Sequence, residues 1–110
     1  MENYNKIEKE NWATYYYLNN KLHRLDGPAI ERNNGDKYWY QNGKRHRIDG
    51  PAIELNNVYK EWWQNGLRHR IDGPAYERND GYKEWWFEGK KIDCNLQEEF
   101  ERCLKLKLFW

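Results

Sequence analysis

The chain has 110 residues, the size of one small domain, and we treat residues 1–110 as a single domain. Its 19 Lys and Arg residues nearly balance its 18 Asp and Glu residues, so the formal net charge is only +1. This balance argues against a strongly basic nucleic-acid binder and against an acidic mimic of DNA.

The aromatic content predicts a folded chain, although the mean hydropathy of −1.33 is typical of a disordered one. Seven Trp, nine Tyr and three Phe supply core material, since each such side chain can bury about 150–250 Å². The N-terminus lacks the apolar run of a signal peptide, and no stretch reaches the length of a membrane span. We therefore expect a cytoplasmic protein. The two cysteines, Cys94 and Cys103, are compatible with two reduced thiols or with one C-terminal bridge.

A seven-residue motif, His-Arg-Leu/Ile-Asp-Gly-Pro-Ala, recurs at a period of 23 residues, beginning at His23, His46 and His69. The same period relates a row of tryptophans, namely Trp39, Trp62 and Trp85. A partial earlier copy has Asn20 where later copies have Gly, and Asn is the residue that best replaces Gly at positive φ. The repeat array therefore extends from about residue 12 to residue 93.

Each repeat is predicted to contain a β-hairpin. Asn-Gly pairs, at Asn42 and Asn65, favour two-residue type I′ turns, which set the register of the strands. Because side chains alternate across a strand, two faces result. Face one is predicted to hold Trp39, Trp62, Trp85, His46, His69, Ile48 and Ile71. Face two is predicted to hold Tyr40, Trp63 and Trp86 opposite Arg45, Arg68 and Lys91, with a Glu61–Arg70 pair beside them.

The Asp-Gly-Pro step interrupts the strand that follows each hairpin, because proline lacks an amide hydrogen and glycine permits a bend. The register of the second turn of each repeat (Asn33 to Asp36 in the first full copy) stays open. A structural role is predicted for the repeated residues Trp39, His46, Asp49, Gly50, Pro51, Trp62, His69, Asp72 and Trp85.

A His with an Asp three residues later could also suggest acid–base catalysis. We favour the structural interpretation because a catalytic group occurs once in a domain, whereas this pair recurs in every repeat. In addition, the fourth hairpin has Ile92 where the register predicts His. No nucleophile motif, phosphate-binding loop or metal-ligand cluster is present in the sequence. We predict a protein without enzymatic activity, cofactor or metal.

Face two is either a scaffold that covers one side of a thin sheet or a recognition surface. Trp, Tyr and Arg dominate binding hot spots, and equivalent residues would be roughly 9–10 Å apart along the array. The predicted partner-binding residues are Tyr40, Arg45, Trp63, Arg68 and Trp86. The alternative ligands for this face are single-stranded nucleic acid and an anionic lipid surface.

The hydrophobic period changes after residue 93. Asn95 followed by Glu98 is typical of a helix N-terminus. Apolar residues at helical spacing, Leu96, Phe100, Cys103 and Leu104, predict a helix over residues 96–107. We assign residues 94–110 to a cap over the end of the array, with a partner-docking helix as the alternative.

The segment Trp-Trp-Gln-Asn-Gly-Leu-Arg-His, which ends at His69, resembles the MORN repeat over residues 12–93. Arg follows the His where that family commonly has Gly, and this variant is similar to MORN-like arrays of phages and large DNA viruses. The resemblance implies an elongated twisted sheet and protein–protein scaffolding, and it implies no active site.

We therefore expect a mainly β protein, a single-layer antiparallel meander of seven or eight strands with a C-terminal α-helical cap. Our functional hypothesis is a protein-binding module, a phage or viral inhibitor of a factor in the host cytoplasm. A second copy of the chain is one candidate partner, because an exposed aromatic face can pair with its equivalent. Nucleic acid and membrane surfaces are the less favoured partners.

Overall fold

Short strands and tight turns alternate along most of the chain, and one helix follows them. The computed structural model describes residues 2–107 and confirms a mainly antiparallel β meander with a C-terminal helix. The strands of this region are β1 Lys6–Lys9, β2 Ala13–Leu18, β3 Lys21–Leu22, β4 Ile30–Arg32, β5 Lys37–Tyr38, β6 Tyr40–Gln41, β7 Lys44–Arg45, β8 Ile53–Leu55, β9 Tyr59–Glu61, β10 Trp63–Gln64, β11 Leu67–Arg68, β12 Tyr76–Arg78, β13 Lys83–Phe87 and β14 Lys90–Ile92. The helix α1 is Gln97–Leu106. The extents of 45 × 32 × 16 Å are those of a thin, single-layer sheet.

The expected count of seven or eight strands is wrong, since the described residues form fourteen short ones. β1 precedes the predicted array, and an Asp-Gly-Pro loop divides each returning strand, as it divides β7 from β8. The main sheet has the order β1-β2-β4-β5-β8-β9-β12-β13-β14, with β3 beside β2. The hairpins β6–β7 and β10–β11 extend from it as separate two-stranded ribbons.

The two-residue turns adopt the conformation that the sequence predicts. Asn42 and Gly43 both have positive φ, at 52° and 79°, as a type I′ turn requires. The predicted register follows from this geometry: Tyr40 pairs with Arg45 and Trp63 pairs with Arg68. In the fourth hairpin the first turn position is Glu88, which takes a φ of 46° that a glutamate seldom adopts.

The predicted Glu61–Arg70 pair is wrong. Beyond each His the chain leaves its own hairpin, and the amide of Arg70 donates to the carbonyl of Trp86 in the next repeat (3.2 Å). Glu61 instead pairs across the sheet with Ile53 and Tyr76. A turn determines register only as far as the strands remain together, and here they separate after the His.

The second turn of each repeat has a register that the sequence left open. Ile30 pairs with Tyr38, and Glu31 pairs with Lys37, so opposite charges face each other. The loop closes through Arg32 N donating to Asp36 O (2.9 Å), with Gly35 at a φ of 98°. This register avoids the Arg32–Lys37 repulsion that the other alignment would create.

The arginine of each repeat motif holds the loop that follows it. Arg47 Nε donates to Asp49 (3.2 Å), and its Nη1 donates to the carbonyl of Pro51 (3.1 Å) and to Glu54 (3.0 Å). The guanidinium carbon also lies 3.8 Å from the centroid of the Trp39 ring, which is a cation–π contact. Arg24 makes the equivalent contacts in its own repeat. Arg70 does the same, except that its Nη1 lies 3.6 Å from Glu77 and forms an ion pair with it in place of a hydrogen bond.

This packing explains the glycine of the motif. A Cβ on Gly50 would lie 2.7 Å from the guanidinium carbon of Arg47, so any side chain there would displace the arginine. The alanine that ends each motif is completely buried, as Ala29, Ala52 and Ala75 show. The motif is therefore a compact loop built around its own arginine.

Histidine links each hairpin to the next. The Nδ1 atom of His23 accepts a hydrogen bond from Asn42 N, and that of His46 accepts one from Asn65 N, each 2.9 Å long. His69 repeats the contact with Glu88 N at 3.0 Å. The turn of one repeat is thus held by the imidazole of the repeat before it.

The helix covers the last repeat, as predicted for a cap. Phe100 is completely buried against Trp85 and Ile92. The prediction of Asn95 as N-cap is wrong by one residue, since Leu96 occupies that position without a side-chain hydrogen bond. Glu99 accepts a hydrogen bond from Asn95 N (3.2 Å) instead. Cys94 and Cys103 are both free, and residues 108–110 of the predicted cap lie outside the described residues.

Candidate binding surface

Arginine and tryptophan side chains alternate along face two. The guanidinium carbon of Arg45 lies 4.9 Å from the ring centroid of Trp63, and that of Arg68 lies 5.1 Å from the same centroid. Arg68 also lies 4.9 Å from the Trp86 ring centroid. We call Arg45, Trp63, Arg68 and Trp86 the arginine–tryptophan ladder. Two-residue turns place these residues because they set the strand register; the turn is Asn-Gly in the first two of these hairpins and Glu88-Gly89 in the last.

Tyr40 lies at one end of this row. Its Cα pairs with that of Arg45, as predicted, but the Arg45 guanidinium stacks on Trp63 of the following repeat. The structure therefore brings four of the five predicted partner-binding residues into one continuous stack. The cation–π contacts run diagonally between repeats as well as across one hairpin.

Two carboxylates lie against the ladder. Glu61 accepts hydrogen bonds from Trp63 Nε1 (2.9 Å) and from Arg68 Nη2 (2.7 Å). Glu84 accepts one from Trp86 Nε1 (2.9 Å) and lies 3.6 Å from Arg68 Nη1. Neither role was predicted from the sequence. The signal was present, because Glu precedes the Trp-Trp pair in two repeats 23 residues apart.

Both carboxylates lie within ion-pair distance of Arg68. Burial alone would raise the pKa of Glu84, but hydrogen bonds from Tyr82 and Trp86 and the charges of Lys91 and Arg68 lower it below its ordinary value. Glu61 is the more buried of the two acids, with a side chain only 8% exposed. Arg68, shared between both acids, has little free charge to offer to a phosphate group.

The rim of the ladder is apolar. Leu67 is about half exposed, and a depression of about 250 Å³ is lined by Trp63, Leu67, Arg68 and Trp86 together with two turn glycines. Both indole rings are partly exposed, and both indole N–H groups are already bonded. The surface can therefore offer ring faces and an apolar hollow to a partner side chain.

On face one, main-chain hydrogen bonds join the His and Trp of a repeat across its hairpin. His46 N donates to Trp39 O (3.1 Å), and His69 N donates to Trp62 O (3.0 Å), so each pair is a cross-strand neighbour. Trp85 is buried below α1, and its indole nitrogen donates to Gln97 (2.7 Å). Ile48 and Ile71, which were also placed on this face, are exposed at the loops.

The recurring His and Asp do not meet as an acid–base pair. His46 Nδ1 accepts from Asn65 N, whereas Asp49 accepts from Arg47. The same division holds in the next repeat, where Asp72 bonds to Arg70, and this bond lowers the pKa of that carboxyl. The two side chains of each motif are thus occupied by structural contacts.

Within residues 2–107, no three His, Cys, Asp or Glu side chains gather into a group that could hold a metal ion. No helix of that region combines the length and the hydropathy that crossing a membrane requires. Comparison of the chain with protein-family models, with curated proteins and with solved structures gives no match.

Proposed function

We propose that this chain is a non-enzymatic protein-binding module that recognises its partner through the arginine–tryptophan ladder. The observation that carries this proposal is the partly exposed alternating stack of Arg45, Trp63, Arg68 and Trp86 beside an apolar depression. Aromatic and arginine side chains that are already ordered lose little conformational entropy on binding, which is why they dominate hot spots.

Charge favours a protein over a nucleic acid as the partner. Glu61 and Glu84 both pair with Arg68, and binding to phosphate backbones depends on unpaired basic charge. An aliphatic or aromatic side chain would fit the depression beside Leu67. The partner surface we expect is therefore a mainly apolar patch with few charges.

The biological setting belongs to the same proposal. The resemblance of the repeat motif to MORN-like arrays of phages and large DNA viruses supports a module that inhibits a host factor in the host cytoplasm. A second copy of the chain, bound ladder to ladder, is the alternative partner.

The test uses Leu67→Glu, which places a charge at the rim of the depression without removing a ladder contact. The matched control is Val58→Glu, at a similarly exposed residue in a distant turn. We expect affinity-tagged wild-type and control chains to retain the same protein from a lysate of the native host, and Leu67→Glu to lose it. Equal retention by both variants would refute the ladder as the binding surface.

Light scattering on the same samples distinguishes the second-copy alternative, which predicts twice the monomer mass in the wild type and the monomer mass in Leu67→Glu. Binding of a single-stranded oligonucleotide that weakens steeply with salt, and that Leu67→Glu leaves unchanged, would contradict the proposal.

A further inference from the structure

The N-terminal segment of the chain lies on face one of the first repeat. His23 Nε2 is 3.1 Å from the carbonyl oxygen of Glu2, and Leu25 N donates to Asn3 Oδ1 (2.9 Å). The ring of Tyr4 packs edge-on against Tyr16, with 4.8 Å between centroids. Because His23 Nδ1 accepts from the following turn, the proton of its neutral ring is on Nε2 and is donated to Glu2.

The loop of this repeat recognises the side-chain amide of Asn3 from two sides. Its oxygen accepts from the Leu25 main-chain N–H. The interaction of the Asn3 side chain with the Asp26 carboxylate is the largest cause of the lowered pKa of that carboxyl. An N–H donor next to a carboxylate acceptor is complementary to a carboxamide, which carries both an acceptor and a donor.

The same groups recur two repeats later. There Gln97 of α1 donates to the Ile71 carbonyl (3.1 Å), and no segment of residues 2–107 occupies the place that Glu2 and Asn3 take in the first repeat. The guanidinium carbon of Arg70 lies 3.9 Å from the Trp62 ring centroid, as that of Arg24 lies 4.0 Å from Tyr16. His69 Nδ1 accepts from the next turn, so its ring also carries the proton on Nε2. A groove of about 580 Å³ lies at this later repeat, and its lining includes Trp62, His69, Arg70, Ile71, Asp72 and Ile48. We call this the open groove.

Two hydrogen-bond donors in the open groove have no acceptor within the described part of the chain. Among residues 2–107, no acceptor is bonded to Ile71 N or to His69 Nε2, which correspond to Leu25 N and His23 Nε2. Ile71 and the carboxylate of Asp72 are exposed, at 58% and 82%. The donors and the acceptor that hold the N-terminal segment in the first repeat are therefore present here as well.

We propose that the open groove binds an extended segment of a partner protein that has the chemistry of Glu2-Asn3-Tyr4. Its main-chain carbonyl accepts from His69 Nε2, its Asn side chain bonds to Ile71 N and Asp72, and its aromatic ring packs on Trp62. Because neighbouring residues of a strand point to opposite sides, Trp62 and the ladder residue Trp63 belong to different faces. This site is thus separate from the ladder.

The probe is the capped tetrapeptide Glu-Asn-Tyr-Asn, which has the sequence of residues 2–5, titrated into the full-length ¹⁵N-labelled chain. We expect saturable chemical-shift changes at the Ile71 amide and the Trp62 indole N–H, with dissociation constants in the millimolar range. The matched control is the peptide Glu-Ala-Tyr-Asn, in which Ala replaces the Asn that corresponds to Asn3. This control removes the carboxamide from the probe without changing the protein. It should bind about tenfold more weakly, the effect of one charge-assisted hydrogen bond.

A protein variant provides the second measurement. Asp72→Ala should weaken the binding of the Glu-Asn-Tyr-Asn peptide by a similar factor. The control Asp80→Ala, which breaks an Arg–Asp pair in a different loop, should leave the binding of this peptide unchanged. Equal binding of the two peptides, or shifts confined to Leu25 because the peptide only displaces the native segment, would overturn the proposal. Shifts at Trp63 and Trp86 would assign the peptide to the ladder instead.

Self-association is the other occupant that the test distinguishes. Dimerisation that disappears when residues 2–5 are deleted would assign the open groove to a second copy and refute a separate partner. If Leu67→Glu no longer captures the partner but still binds the peptide normally, the ladder and the open groove are two independent binding sites.

Discussion

The hydrogen bonds that the repeat histidines accept make stability depend on pH. His46 Nδ1 accepts from Asn65 N at 2.9 Å, and His69 Nδ1 accepts from Glu88 N at 3.0 Å. A protonated imidazole has no acceptor, so acid would set two N–H groups against each other in each repeat. Burial lowers the pKa of both rings, and the nearby Glu88 opposes part of this effect at His69.

The direction in which the free energy of unfolding changes with pH depends on the difference between the histidine pKa values of the folded and unfolded chains. The ordinary pKa of an unfolded His is about 6.5, and the folded values lie below it, so the folded state binds fewer protons. The stabilisation is fully present above that pKa and is lost as the pH falls through it toward the lower folded values. Each hydrogen bond contributes about 0.5–1.5 kcal/mol, so the two together account for about 1–3 kcal/mol.

The assay is urea unfolding followed by tryptophan fluorescence at about pH 7.5 and about pH 5.5, above the range in which most carboxylates titrate. The matched variant is His46→Asn/His69→Asn, in which Oδ1 can replace Nδ1 as acceptor but cannot be protonated. We expect the wild type to lose about 1–3 kcal/mol between the two pH values and the variant to lose less than half of that. An identical loss in both proteins would refute the role assigned to the imidazoles.

Three further outcomes are expected from urea unfolding at neutral pH. Gly50→Ala should cost about 1–3 kcal/mol, because its Cβ would lie 2.7 Å from the Arg47 guanidinium carbon; in an Arg47→Ala background the cost should fall below half, and additive effects would contradict the packing argument. Arg68→Met should cost about 3 kcal/mol because it leaves the buried Glu61 carboxylate without its cation, and a loss under about 1 kcal/mol would show that the pair is solvated. Phe100→Ala should cost about 3–5 kcal/mol and remove the helical circular-dichroism signal; retention of that signal would mean that α1 does not depend on its buried face.

Features that depend on a few neighbouring residues could be predicted from the sequence. The two-residue turns Asn65-Gly66 and Glu88-Gly89 place Trp63 opposite Arg68 and Trp85 opposite Ile92, because a type I′ turn determines the register of the strands it joins. The cap helix was also predictable from its apolar spacing, with an error of one residue at Leu96. The MORN-like resemblance and the choice of partner stay predictions.

Contacts between repeats required the tertiary structure. The sequence period shows that Glu61 and Arg68 recur, but it does not show that Glu61 bonds to Arg68 and not to Arg70. The partner of Glu61 depends on the residue at which the chain leaves its own hairpin and bonds to the next one. It also depends on the Asp-Gly-Pro loop that follows, which is held by the motif arginine as in the case of Arg47. Turn geometry acts over only a few residues. The hydrogen-bond partners of Glu61 depend instead on how one repeat packs against another, so they could be identified only from the tertiary structure.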